Sequence, residues 1–325
     1  MVCLDLSGQA PYFSPVQLFN DYRLLIEQQD ASCRVVSIGN FDGVHLGHLA
    51  VIEMARDIAR RESLESAICT FEPHPFEIFM PGETRLRLVS PARKYRLLSG
   101  LGIDVVLAQH FDESFAALTA GDFASRILKD ALRARIVVVG ADFRFGKDRR
   151  GDVALLTDLG RTFGFAVTGA PLVERSGEPV SSSRIRRLLL DGNVGTAAEL
   201  LGRLHEVEGR VVEGRQMGTA LGYPTVNLHT CDVLLPGDGI YAAFCELPDN
   251  RRLPAAVYVG ERPTLGHGRS LEAHLLDFRG DLYGAVVRVA FAERLRGDVK
   301  FETADALRAQ IEQDVAAVRR TLEER

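Results

Sequence analysis

A chain of 325 residues is long enough for two domains of ordinary size. Hydrophobic residues at 46% and charged residues at 26% fit a soluble globular protein, and a net charge of −5 provides no basic field for nucleic acid. Five scattered cysteines (Cys3, Cys33, Cys69, Cys231, Cys245) form no CxxC pair, which argues against a disulfide framework or a zinc site. Met1–Gln9 has no basic segment leading into an apolar run, and no stretch reaches the ~18 consecutive apolar residues of a membrane span. The expectation is a cytoplasmic chain with small-molecule partners, no nucleic acid and no membrane; the composition does not specify an oligomeric state.

The first strong pattern is Ser37-Ile-Gly-Asn-Phe-Asp-Gly-Val-His-Leu-Gly-His48. Val35-Val36 before it reads as the end of a buried strand. After it, Leu49, Ile52, Ala55, Ile58 and Ala59 recur at helical spacing without Gly or Pro up to Arg61. A strand, a turn built from Gly39, Asn40, Phe41, Asp42 and Gly43, and a helix start together present backbone N–H groups to an anion. His45 and His48, three apart, are expected on one face of the first helical turn, with Gly47 baring the backbone between them. The helix dipole offers ~0.3–1 kcal/mol to a phosphate. A donor aimed at charge developing in a transition state is worth roughly 2.7–4 kcal/mol, so the histidines would carry more of the rate. Two surface histidines beside a turn are the alternative on the residues alone.

Strand and helix signals then alternate: strand Ser66–Phe71, helix Pro91–Gly100, an apolar run from Asp104, helix Phe123–Leu132, strand Ile136–Val139, helix Asp152–Phe163 and a strand from Phe165. That alternation predicts an α/β fold with a doubly wound, Rossmann-like parallel sheet, whose ligands bind at the carboxyl ends of the strands. The polar motifs fall there. Phe71-Glu-Pro-His-Pro75 is a stiff loop in which His74 is either structural or turned to the site. Gly140-Ala-Asp-Phe-Arg-Phe-Gly146 brackets two aromatics and a carboxylate with glycines, a composition suited to a flat ring. Ser181-Ser-Ser-Arg-Ile-Arg186 opens a helix with a serine cap, and Arg184 and Arg186 add charge beside its first amides.

Leu188–Leu201 reads as short helices, and the pattern changes from His205. Runs at Val207–Val212, Ile240–Phe244, Ala255–Val259, Leu271–Phe278 and Val286–Phe291 alternate with Gly-rich turns, which predicts a small antiparallel barrel. A final helix carries Leu307, Ile311, Val315, Val318 and Leu322 on one stripe, expected to pack on that barrel. The predicted domains are therefore 1–204 and 205–325. In the second, Thr225 and Asn227 of Pro-Thr-Val-Asn lie on one side of an extended chain, and two neutral oxygens suit Mg²⁺, which takes few protein ligands. Glu272 interrupts an apolar strand. On the inner face of a barrel it would be costly unless used, and the other option is that it points outward.

Taken together, GNFDGVHLGH resembles the signature of the HxGH nucleotidyltransferases, and of the adenylyltransferase half of bacterial bifunctional riboflavin kinase/FAD synthetases in particular. The resemblance runs from about Val35 to Val318 with the motifs in family order. It implies His45 and His48 as catalytic residues, with Gly39, Asn40, Phe41, Asp42, Gly43 and Gly47 around the nucleotide. It assigns Gly140, Asp142, Phe143 and Phe145 to the flavin loop, and Ser182, Ser183, Arg184 and Arg186 to the family's SSTRIR motif over the phosphates. In the kinase half it implies Gly218 and Gly222 in the nucleotide loop, Thr225 and Asn227 as Mg-ATP ligands, and Glu272 as the base for the ribityl hydroxyl. ATP, Mg²⁺, riboflavin, FMN and FAD follow as co-substrate, metal, substrates and products. The loop before Pro-Thr-Val-Asn departs from the family pattern: Met217 and Thr219 stand where arginines are common, Ala220 where threonine is, and Glu213 where histidine is frequent. An adenylyltransferase with an altered kinase half, another HxGH transferase such as a cytidylyltransferase, and a non-catalytic flavin-binding regulator are the competing readings.

Overall fold

The computed structural model describes residues 16–29, 31–80, 86–213, 222–230, 233–261 and 269–323. The chain divides into two compact units. The first runs to Val180 without Leu86–Ser90, and the second takes Leu86–Ser90 and the chain from Ser181.

The first unit is a six-stranded parallel sheet in the order β1-β4-β3-β2-β5-β6, with β1 Gln17–Phe19, β2 Arg34–Ile38, β3 Glu65–Glu72, β4 Val105–His110, β5 Ala134–Gly140 and β6 Ala166–Ala170. Helices α1 Tyr22–Glu27, α2 Leu46–Glu62, α3 Pro75–Phe79, α4 Pro91–Ser99, α5 Glu113–Ala116, α6 Ala120–Asp122 and α7 Val153–Phe163 connect the strands, together with a π-helix, Phe123–Ala131. Val35, Val36, Ile68, Leu107, Val137, Val138 and Val139 are all fully buried, as strands covered on both faces require. From β2 the sheet grows through β3 and β4 on one side and through β5 on the other. The order therefore reverses between β2 and β5, and ligands bind such sheets outside the carboxyl ends at that point. The loops after these two strands are GNFDG and GADFRFG. A short hairpin, β7 Glu174–Arg175 with β8 Glu178–Pro179, follows the sheet.

The second unit is a closed antiparallel barrel, β10-β13-β12-β11-β14-β9, from β9 His205–Val212, β10 Val226–Thr230, β11 Gly239–Glu246, β12 Arg252–Glu261, β13 Arg269–Leu275 and β14 Val286–Arg296. Its interior is filled by Val207, Val211, Tyr241, Ala243, Cys245, Val257, Val259, Leu271, Ala273, Val287, Val289 and Phe291, none more than 2% exposed. Helices α8 Ser182–Leu190 and α9 Val194–Leu201 precede the barrel, and α10 Ala304–Glu323 follows it. α9 packs on β14 and β9 with Val194, Ala197 and Leu200 buried. In the chain direction the larger segments of the two compact units adjoin at Val180 and Ser181. α10 uses its stripe in two ways. Val315, Val318 and Leu322 pack on Ala242, Ala256 and Ala292 of the barrel's outer face, while Leu307 and Ile311 line a cavity.

Candidate functional site

The turn after β2 is tightly wound. Gly43 has φ +86, and Phe41 (φ +49) and the β-branched Val44 (φ +41) also take the left-handed region that such residues rarely enter. Phe41, Asp42 and Val44 are buried, so packing holds this strained backbone in place. It delivers His45 as the N-cap of α2 in extended geometry (φ −82, ψ 173). The helix starts one residue later than the shared-turn expectation requires. The two imidazoles nevertheless come together, stacked with ring centroids 3.6 Å apart at 16°. His45 Nδ1 accepts the His48 backbone N–H at 3.3 Å, so in the neutral ring Nε2 carries the hydrogen. His45 is 5% exposed, and Phe41 meets the His48 ring edge-on at 5.3 Å. Gly47 has a closer neighbour than a ligand: an added Cβ would lie 3.1 Å from His45 Cε1 and 3.2 Å from the Val180 carbonyl oxygen. At Gly39 a Cβ would lie 3.1 Å from the Phe41 ring.

Across the switch point, Phe143 N–H bonds to Gly140 C=O at 3.1 Å, closing a turn that leaves Asp142 exposed and Phe143 half-buried. Phe145 corrects the expectation of a second ring contact. It is 6% exposed and belongs to the main core, with Phe123 at 5.7 Å and a reciprocal backbone pair to Gly151. Its ring lies parallel to Phe143 at 5.6 Å, so it supports Phe143 from within. His74 caps α3 through Nδ1 and Phe76 N–H, the structural role.

In the second unit Ser181, not one of the two serines after it, is the cap of α8: its Oγ accepts Arg184 N–H at 3.2 Å. Ser182 and Ser183 are therefore the first helical residues, Arg184 is half-buried, and Arg186 Nε donates to Leu86 C=O at 3.2 Å. Three consecutive serines hid the cap position from sequence reasoning.

The barrel carries the clearest constellation. Asn227 pairs with Glu272 across β10 and β13, Glu272 with Tyr258 across β13 and β12, Tyr258 with Ile240 across β12 and β11, and Ile240 with Arg296 across β11 and β14. Directly opposed residues share a face, so these five form one row. Its face is the outer one, because Ala256, two residues from Tyr258, packs against α10 while Leu271 and Ala273 fill the interior. Glu272 is thus on the outside of the barrel, correcting the inner-face expectation, yet it is not simply solvated. It lines a cavity of about 380 Å³ with Thr225, Tyr223, Ile240, Tyr258, Val299 and Phe301, closed over by Leu307, Ile311 and Asp314 of α10. Burial, with the carboxylates of Asp298, Asp238 and Glu272, raises the Tyr258 phenol above its ordinary range. His274 Nδ1 lies 2.8 Å from Pro224 O and fixes the start of the Pro-Thr-Val-Asn segment on β13. Gly222 is exposed at φ +87; Gly218, with Met217, Thr219 and Ala220, lies outside the described residues. Among the described residues no group of His, Cys, Asp and Glu gathers as a metal cluster. Neutral oxygens such as those of Thr225 and Asn227, completed by water and phosphate, are the donor set that suits Mg²⁺.

Tyr258, Arg296 and Asp314 were not singled out from sequence. Asp314 had a readable signal: it is an ionisable residue inside the apolar stripe of α10, at the position where Leu307 and Ile311 continue by three.

Comparison with known proteins agrees with this two-part geometry. The FAD synthetase family matches residues 27–184 and the riboflavin kinase family matches residues 201–322. The bifunctional riboflavin kinase/FMN adenylyltransferase of Escherichia coli (strain K12) is 38% identical over 286 residues, 88% of this chain and 91% of its own. This chain belongs to the bifunctional riboflavin kinase/FMN adenylyltransferase family. The Pseudomonas fluorescens member is 39% identical over 287 residues, 88% of this chain and 92% of its own. A Streptococcus pneumoniae crystal structure named as a macrolide-efflux protein shares the fold at TM-score 0.85 and 32% identity, covering 94% of this chain and 98% of that one. Among the described residues no helix is long and apolar enough to cross a membrane.

Proposed function

We infer that this chain phosphorylates riboflavin to FMN with its second part (205–325) and adenylylates FMN to FAD with its first (1–204), using ATP in both steps in the cytoplasm. The observation that carries this is the coincidence of both centres in one chain: stacked histidines at a helix start on the switch point, and a carboxylate in a largely apolar cavity beside Pro-Thr-Val-Asn.

In adenylyl transfer an FMN phosphate oxygen attacks the α-phosphorus of ATP, the bond to the β-phosphate oxygen breaks, and pyrophosphate leaves. No protein nucleophile is needed. His45 and His48, with the first amides of α2, donate to the phosphate oxygens as charge shifts onto them. Asp142 and Phe143 hold the flavin ring, with Phe145 beneath Phe143. In the kinase step Glu272 accepts the proton of the ribityl 5′-hydroxyl as that oxygen attacks the γ-phosphorus and ADP leaves. Its half-buried setting limits competing water. Thr225 and Asn227 would hold Mg²⁺, which when bound offsets phosphate charge.

The test is to give the purified chain riboflavin, ATP and Mg²⁺, and separately FMN, ATP and Mg²⁺, and to resolve the flavins by chromatography. FMN followed by FAD from the first mixture, and FAD from the second, is the expected result. FAD from FMN with nothing from riboflavin would remove the kinase half, and no product in either would sink both assignments.

A further inference from the structure

The turn after β2 is tied to the end of β3 by two hydrogen bonds. Gly39 N–H donates to Cys69 C=O at 3.1 Å, and Thr70 Oγ1 donates to Asn40 C=O at 3.1 Å. Thr70 is fully buried, and beside it lies a buried charge, Lys94 of α4, only 3% exposed. Lys94 Nζ is 3.4 Å from Thr70 Oγ1, 3.2 Å from Phe71 C=O and 3.4 Å from Glu72 Oε2. One helical turn on, Leu98 is buried in the same apolar cluster as Phe41 and Val44, and Phe41 in turn meets the His48 ring.

Burying an ammonium is expensive, and Leu98 already seats α4 against the turn. The direction of the hydrogen bonds gives the charge a purpose. An ammonium donates and cannot accept, so Thr70 Oγ1 must accept from Lys94. That leaves the single hydroxyl hydrogen for Asn40 C=O, which can only accept. The two bonds therefore run one way, from the charge to the turn, and each polarises the next. The Asn40–Phe41 peptide is trans. Drawing its carbonyl oxygen onto the buried Thr70 thus turns the Phe41 N–H to the opposite side. A turn that receives a phosphate must show it donors, and a flipped peptide would show it a carbonyl oxygen instead.

We propose that Lys94 is a positioning residue for adenylyl transfer: acting through Thr70, it locks the Asn40–Phe41 peptide with its carbonyl oxygen buried and its N–H on the phosphate side of the turn. This rests on the adenylyltransferase reading above. Lys94 touches no substrate and moves no proton. It keeps an acceptor from facing the phosphate oxygens as charge builds on them.

The test uses the full chain, assayed at a temperature where thermal unfolding shows every variant native, with riboflavin phosphorylation as the control. Thr70→Val removes the hydroxyl and keeps the branched shape, and Lys94→Met removes the charge. Each should lower kcat for FAD formation from FMN at least about tenfold, short of the ~10²–10³ lost when a transition-state donor is deleted outright. KM for FMN, whose ring is assigned to the loop after β5, should stay within about threefold. Thr70→Ser and Lys94→Arg should rescue kcat to within about threefold of wild type. The double variant Thr70→Val with Lys94→Met should lose no more than the worse single variant, because the two side chains act as one unit. Native kcat in Thr70→Val and Lys94→Met, with only a lowered Tm, would show that the network merely fastens the helix and would overturn the proposal. Losses that multiply in the double variant would overturn the relay as well. A wild-type chain that phosphorylates riboflavin but forms no FAD from FMN would instead refute the adenylyltransferase reading itself.

Discussion

Gly47→Ala should separate stability from catalysis in the first unit. Gly47 is the second residue of α2, and its φ lies outside the left-handed region, so alanine is conformationally acceptable there. Alanine is the better helix former by roughly 0.5–1 kcal/mol, less near a helix end, so the fold should be unharmed or slightly more stable. The added methyl, however, meets the His45 ring at 3.1–3.2 Å and the Val180 carbonyl oxygen at 3.2 Å. A carbonyl in the chain yields little, so the imidazole must move by a few tenths of an ångström. That loosens both the stack on His48 and the Nδ1 bond to its amide. Displacement of a catalytic group by ~1 Å costs on the order of a hundredfold, so a shift of this size should cost roughly tenfold, about 1.4 kcal/mol of barrier. Initial rates of FAD formation from FMN would be measured alongside thermal unfolding, with riboflavin phosphorylation by the same preparation as control. FAD formation within about twofold of wild type, with Tm preserved, would refute the claim that the stacked pair is the working geometry.

Other perturbations isolate other parts. Glu272→Gln keeps the shape of the side chain and removes the carboxylate proposed above as the base; FMN formation should fall by about 10²–10⁴ while FAD formation from FMN persists, and loss of both would end the division of labour. His205 is buried with Nε2 2.8 Å from Leu234 O, and burial lowers its pKa to about 4 from 6.5. The unfolded chain therefore binds the proton first, so stability is complete above about pH 6.5 and is lost as pH falls toward 4, by ~3 kcal/mol in all. Denaturant titrations at pH 7 and pH 4.5 should show most of that difference, and His205→Asn should flatten it. Lys94 is 3% exposed, with Nζ 3.4 Å from Glu72 Oε2, 3.4 Å from Thr70 Oγ1 and 3.2 Å from Phe71 O. Because Thr70 in turn donates to Asn40 C=O at 3.1 Å, Lys94→Met should destabilise the first unit by about 2–4 kcal/mol in chemical unfolding; an unchanged midpoint would show that the network contributes nothing.

Much of this architecture was legible because period and punctuation agreed. The valines of β2 and β5, the glycine-bracketed loops after them and the alternation of β13 each identify an element and a face without reference to the rest of the chain. What was not legible depended on tertiary neighbours. Phe143 and Phe145 are the same residue type two apart, yet one borders the loop and the other is core, a difference made by Phe123 and Gly151. Glu272 was legible as an anomaly but not as an outer-face residue, because a two-residue period gives two faces without saying which one a later helix will cover. Arg296 and Asp314 meet only because α10 returns across β14, and no local pattern encodes that meeting.

The strand β13 has one more implication. Leu271, Ala273 and Leu275 face the barrel interior, while Glu272 and His274 face the cavity. Two independent selective pressures are therefore interleaved at single-residue spacing. In a saturation scan scored separately for abundance and for turnover, odd-numbered positions should tolerate only changes that preserve volume and should show their cost as lost protein. Glu272 should tolerate many changes by the first score and almost none by the second. Such an arrangement lets the substrate preference of the kinase drift without renegotiating the fold, since every adjustment of one face is made on side chains the other face never meets.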